Sequence, residues 1–384
     1  MSAAALGVAE ELPEADRLGS YPHPRRTENL YGQDAAEARF LDSFNSGRMP
    51  HAWLITGPRG IGKATLAWRL ARFLIAQPLG EDDGLFGAPE RPDTLATSPE
   101  HPVARRIAAG SEGNLFLLRR PWDHKAKRLK TVIDVESARD LKRFFAHSAA
   151  EQARRVVIVD SADEMNASAA NAVLKVLEEP PANTVLLLIS HAPAALLPTI
   201  RSRCQVLKCA TLSEPSLIAA LREAGAEPPE DPAARAALSA LAEGSVATAL
   251  QLIDDEGLAL YAALVALLRD LPKLSRPEVL TMASKASGRD AADRFRLTVR
   301  LIDTFLARAA RTGVAGPPAP EAAPGEAALL TRLAPDTRRA RAWAELAATL
   351  GARARAGQAV NLDAGALITD ICLKISEAAH EMHL

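Results

Sequence analysis

The chain has 384 residues, 48% of them hydrophobic and 24% charged, and a net charge of −1. That length suits two or three domains with real cores. The near-neutral balance excludes a protein that coats nucleic acid by charge alone, so any DNA contact is local or shared with partners. Aromatics are only 4%, which fits a helix-rich protein packed with small aliphatic side chains. Cys204, Cys209 and Cys372 make no CxxC pair, which points to a reducing cytosol. Glu10, Glu11, Glu14 and Asp16 crowd the N-terminal stretch, unlike a signal peptide. The aliphatic runs are too short to cross a bilayer. The expectation is a soluble, cytoplasmic protein with no membrane contact.

Residues 1–27 are rich in Ala, Glu and Pro and read as a loose tail. Ala35, Ala38, Phe40, Leu41 and Phe44 recur at helical spacing between Asp34 and Asn45. A strand-like HAWLIT then runs into the glycine-rich GPRGIGKAT and a helix from Leu66 to Ala76. Residues 78–102, rich in Pro, Gly and Asp, read as an insertion or loop. Strands are expected at Asn114–Leu118 and Thr131–Val135, with the basic run Arg119, Arg120, Lys125, Lys127, Arg128 and Lys130 between them. Such a run reads first as a solvated face, with DNA or partner contact as the alternative; Trp122 within it suits a packing anchor.

A helix from Glu136 to His147 precedes the strand VVIV. A second helix, Ser168–Glu179, places Ala170, Val173, Leu174 and Leu177 on one face, and Pro180-Pro181 stops it before the strand TVLLLIS. Short continuous apolar strands alternating with helices indicate a parallel α/β sheet covered on both faces. Beyond residue 210 the pattern is helical, with a Pro/Ala/Gly loop at Gly316–Gly325.

Gly57-Pro58-Arg59-Gly60-Ile61-Gly62-Lys63-Ala64 matches GxxxxGK after a strand and at the start of a helix. Glycines let backbone N–H groups turn toward phosphate oxygens, the helix N-terminus favours the anion, and Lys63 neutralises charge. Gly57, Gly60, Gly62, Lys63, Thr65 and Asp160 are therefore the candidate ATP- or ADP-binding residues. A working loop has Ser or Thr after the lysine to ligate Mg²⁺; here Ala64 offers no oxygen. Thr65 lies one residue late, turned by about 100° on a helix. Asp160 ends the VVIV strand as the second acidic motif. Ser161 follows it, where hydrolytic AAA+ relatives carry a glutamate base, and a hydroxyl is a poor base near neutral pH. Asp163 and Glu164, one turn on, are expected to point elsewhere.

Asn171-Ala172-Val173-Leu174-Lys175-Val176-Leu177-Glu178-Glu179-Pro180-Pro181, the aliphatic strand after it, and Ile200-Arg201-Ser202-Arg203-Cys204 together resemble the AAA+ clamp-loader subunits of bacterial DNA polymerase III, the tau/gamma and delta-prime proteins. The resemblance covers residues 28–255 well and beyond them rests on helical character alone. It implies an α/β AAA+ P-loop domain at 28–210, a small helical lid at 211–255 and an all-α oligomerisation collar at 256–384. It also implies that Arg203 acts in trans as an arginine finger on a neighbour's γ-phosphate. Ala247 stands where the family carries a second-sensor arginine, and the first-sensor residue is Ser190 or His191.

Ala64, Ser161 and Ala247 each remove a hydrolysis group while Arg203 remains, which is the pattern of delta-prime. The implied protein is a stator that hydrolyses no ATP, within a nucleotidyltransferase holoenzyme. Its implied partners are tau/gamma and delta in a hetero-pentamer, the sliding clamp, and primer–template DNA through the complex. The alternative is an active ATPase of the tau/gamma type. Family members with zinc carry four cysteines ahead of the second motif. Residues 66–159 hold none, and His101, His124 and His147 are scattered, so no zinc is expected.

Overall fold

A computed structural model describes residues 12–78, 91–146, 154–286, 292–360 and 362–382. The chain divides into two compact units, 1–225 and 226–384. The lid-and-collar partition of the helical part remains a proposal.

In the first unit, α1 (Asp34–Asn45) leads to β1 (Ala52–Thr56) and α2 (Lys63–Ala76), then α3 (Pro102–Ala109) and β2 (Leu115–Arg119). A short hairpin, β3 (Trp122–Asp123) with β4 (Arg128–Leu129), precedes α4 (Val135–Ala146), β5 (Arg155–Asp160) and α5 (Ala167–Glu178). Then come β6 (Thr184–Ser190), the one-turn α6 (Pro198–Arg201), β7 (Gln205–Lys208) and α7 (Glu214–Glu223). The sheet has the order β2-β5-β6-β1-β7 and is parallel throughout. Every residue of β1 and β6 is buried, as expected for strands covered on both faces.

One face packs Leu54, Val157, Val159, Leu186 and Leu188 against Ala138 and Leu141 of α4 and Ala169, Val173 and Leu177 of α5. Each such Leu or Val contributes ~2 kcal/mol by leaving water. The other face carries Trp53, whose ring lies 4.9 Å from that of Phe40 on α1. The α1 stripe is Ala36 and Phe40, with Phe44 half-buried; Ala35 and Ala38 are exposed.

Several local expectations change. Residues 12–27 fold as an ordered strap, while 1–11 lie outside the described residues. The strap is held by an ion-pair cluster. The His23 ring lies 3.0 Å from Asp16 and 3.7 Å from Glu14, and Arg25 and Arg119 meet Glu14 at 2.8 and 2.7 Å. Arg119 also pairs with Asp16, whose side chain is fully buried. Thr131–Val135 is not a strand. Asp134 instead caps α4 by accepting from Ser137 N at 3.1 Å, and Ile133 makes only an isolated bridge to Met165. α3 was not foreseen; His101 caps it and Pro102 opens it. Of the insertion, 79–90 lies outside the described residues, 91–101 is loop, and Pro102 already belongs to α3. His147 also lies outside them.

The second unit is helical: α8 (Pro232–Ala242), α9 (Val246–Asp254), α10 (Gly257–Leu268), α11 (Arg276–Lys285), α12 (Ala292–Ala315), α13 (Glu326–Leu333), α14 (Thr337–Ala359) and α15 (Ala364–Glu381). The Gly316–Gly325 segment is loop, but it is tied down at its C-terminal end. Buried Glu326 accepts from Arg308, Tyr261 and the Ala322 N–H at 2.6 Å each. Arg308 also donates to Pro320 O at 3.2 Å. Among the described residues no helix is long and apolar enough to cross a membrane.

Candidate functional site

The sheet order places β6 between β1 and β5, so the ends of three neighbouring strands deliver the phosphate loop, the Ser190–His191 corner and Asp160 to one edge. Gly57, Gly60 and Gly62 have φ of 144°, 75° and 96°, in the region that side-chain-bearing residues rarely adopt. A Cβ on Gly57 would stand 2.8 Å from Ile61 Cδ1 and 2.9 Å from the Cys209 carbonyl oxygen. The loop therefore has the backbone form of a phosphate cradle.

Lys63 is buried and turned on its own loop. Its Nζ donates to Gly57 O at 2.6 Å and also to Pro58 O. Burial draws its pKa down to about 8, against the opposing pull of Cys209, Asp160 and Asp163. Ala64 and Thr65 are half-buried in the first turn of α2.

Asp160 sits recessed at the end of β5. Loss of water around the carboxylate, then Asp16 and Glu164, raise its pKa to about 7 against Lys63 and Arg119. The Ser161 hydroxyl is buried and has no hydrogen-bond partner. These groups fit a phosphate at the glycine loop. They do not fit a Mg²⁺ held from the first turn of α2, because Ala64 has no side-chain oxygen to offer it.

Asp163 and Glu164 do not point away, and they were the residues sequence reasoning missed. Asp163 accepts from Ser190 Oγ at 2.7 Å and His191 N at 2.5 Å, which fixes the Ser190–His191 corner. Glu164 accepts from Arg59 of the phosphate loop at 3.3 Å and pairs with Arg120 at 2.7 Å. A 3₁₀ turn at Ala162–Glu164 folds them back toward β6. That turn, and not the helical spacing assumed, sets their direction. Burial, then the Lys63 and Arg59 cations, draw His191 down to about 4, so it is neutral at physiological pH.

The basic run divides in two. Arg119 and Arg120 face inward to acids, and Lys130 pairs with Asp134 at 2.7 Å. His124, Lys125, Lys127 and Arg128 are exposed on the β3–β4 hairpin, and Trp122 is half-buried opposite Leu129.

Arg203 lies away from the loop, after α6. Its Nη2 meets Glu178 Oε1 at 3.0 Å and its Nη1 donates to Thr199 O at 3.0 Å. The side chain remains 36% exposed. In the second unit, Ser245 caps α9 by accepting from Thr248 N at 3.2 Å, and Ala247 is half-buried in the first turn.

A family model described as DNA polymerase III, delta subunit, matches residues 32–213. DNA polymerase III subunit delta' of Yersinia pestis is 30% identical over 276 residues, covering 71% of this chain and 75% of that protein. The chain belongs to the delta-prime family of DNA polymerase III subunits. The Pseudomonas aeruginosa delta' subunit is 38% identical over 203 residues, which are 53% of this chain. The match spans just over half of that relative's length, 55%. The gamma/tau subunit of Mycobacterium bovis is 29% identical over 187 residues, 47% of this chain and 28% of that protein. The two delta' subunits named here match over 276 and 203 residues, longer stretches than the 187 of this gamma/tau subunit.

Proposed function

We propose that this chain is the stator of a clamp loader: a subunit that donates Arg203 to a neighbouring tau/gamma ATP site and hydrolyses no ATP itself. The observation that carries the reading is the contrast between Lys63, buried on its own loop carbonyls, and Arg203, anchored yet exposed. A planar guanidinium offers five N–H donors and stays charged at any physiological pH. It can therefore keep local anchors and still meet an incoming phosphate. The partners in this reading are tau/gamma and delta in a hetero-pentamer, the sliding clamp, and primer–template DNA through the complex, in the cytoplasm. ATP or ADP is held at Gly57–Lys63 without turnover, and no zinc takes part. Gly57, Gly60, Gly62, Lys63, Thr65 and Asp160 would hold the nucleotide, which would supply its phosphates to the loop amides.

Steady-state ATP turnover by the purified chain separates this reading from an active tau/gamma-type motor. The stator reading predicts background turnover by the chain alone, and co-purification with tau/gamma and delta. Clear turnover by the isolated chain would overturn it.

A further inference from the structure

We propose that Glu178 is a positioning residue for Arg203, holding the guanidinium at a fixed outward angle for a phosphate presented by a neighbouring subunit. The inference rests on the trans role proposed for Arg203. It adds a residue that the motif pattern did not assign.

The first support is geometric. Two anchors, Glu178 Oε1 and Thr199 O, each at 3.0 Å, take donors on two different guanidinium nitrogens. Three of the five N–H donors are left for another ligand. Arg201, two residues earlier and also exposed, makes no side-chain hydrogen bond or ion pair among the described residues. The anchoring is therefore selective for Arg203 and not a general property of a basic turn.

The second support is the placement of the acid. Glu178 is the last residue of α5, where the helix presents its negative end and a carboxylate is locally unfavourable. A cation beside it offsets that repulsion and is itself drawn to the helix end. Both partners stand on rigid supports. Val173 and Leu177 root α5 in the core, and fully buried Ile200 fixes α6 just before Arg203. Pro180 and Pro181 end α5 at once, so Glu178 cannot drift with a fraying helix.

The third support is energetic. An exposed pair contributes little to folding, so this one is a poor stability device. It does remove rotamer freedom from a long side chain before the phosphate arrives. Pre-ordering of that kind is how remote residues act on rate.

The test uses the reconstituted complex of this chain with tau/gamma and delta, assayed for clamp- and primed-DNA-stimulated ATPase. Glu178→Ala should lower kcat about three- to ten-fold, with KM for ATP, complex yield and the melting curve of the chain unchanged. Glu178→Gln, which keeps an acceptor oxygen, should recover most of the rate. In the Glu178→Ala/Arg203→Ala double variant, kcat should be no lower than in Arg203→Ala alone, because both changes remove one device. Wild-type kcat in Glu178→Ala, or losses that multiply in the double variant, would overturn the positioning role while leaving the trans role standing. Wild-type kcat in Arg203→Ala would overturn both.

Discussion

Two corners of the first unit handle positive charge in opposite ways. At the phosphate loop the buried and half-buried cations are matched from within: Lys63 by the loop carbonyls, Arg120 by Glu164, and Arg119 by Glu14 and Asp16, while Arg59 is exposed and pairs with Glu164 alone. At the end of α5, Arg203 keeps one acid and one carbonyl and faces solvent. A buried cation with its partners in place must break contacts to take a new anion, and each broken contact costs free energy. A half-exposed arginine breaks none. The same fold thus carries a glycine loop with its lysine turned inward at one corner and a locally anchored, solvent-facing arginine at the other.

That contrast can be broken by substitution. Gly57→Ala introduces a Cβ at φ 144° against Ile61 and the Cys209 carbonyl. It should destabilise the chain by ~2–3 kcal/mol, read from urea unfolding. A loop that accepts Ala without loss would not be the tightly formed cradle described.

Asp160→Asn tests the buried charge. The folded pKa is raised to about 7, above the ~4 of a free carboxylate. The stability tied to this proton is therefore full below ~4 and is lost as pH rises through 7. The variant, which never ionises, should match wild type near pH 4 and exceed it by up to about 4 kcal/mol at pH 8. Equal stability of the two proteins across that range would remove the electrostatic argument at this corner.

Arg203→Ala should give the smallest change in stability, within ~0.5 kcal/mol, since its ion pair is exposed. A larger loss in the same unfolding assay would make Arg203 a folding residue and collapse the contrast.

Much of the first unit was legible because its signals are local. β1, β5 and β6 are continuous apolar runs, the GxxxxGK spacing is contiguous, and Pro180-Pro181 marks the end of α5 within a residue. β7 went unassigned because Gln205–Lys208 is four residues long with one buried side chain, too little pattern to read. The strap was misread because its partners are remote: Arg119 reaches Asp16 and Glu14 across 103 and 105 positions. Composition near Glu14 and Asp16 suggests solvent, and only the fold supplies the arginine. Asp163 and Glu164 were missed for a similar reason. A single 3₁₀ turn reverses their direction, and nothing in the sequence announces it.

The most direct measurement is clamp- and primed-DNA-stimulated ATP turnover by the reconstituted complex carrying Arg203→Ala in this chain. The account predicts a loss of at least about ten-fold with assembly intact, because a trans arginine supplies much of the stabilisation of charge in phosphoryl transfer. Turnover equal to that of the wild-type complex would contradict it.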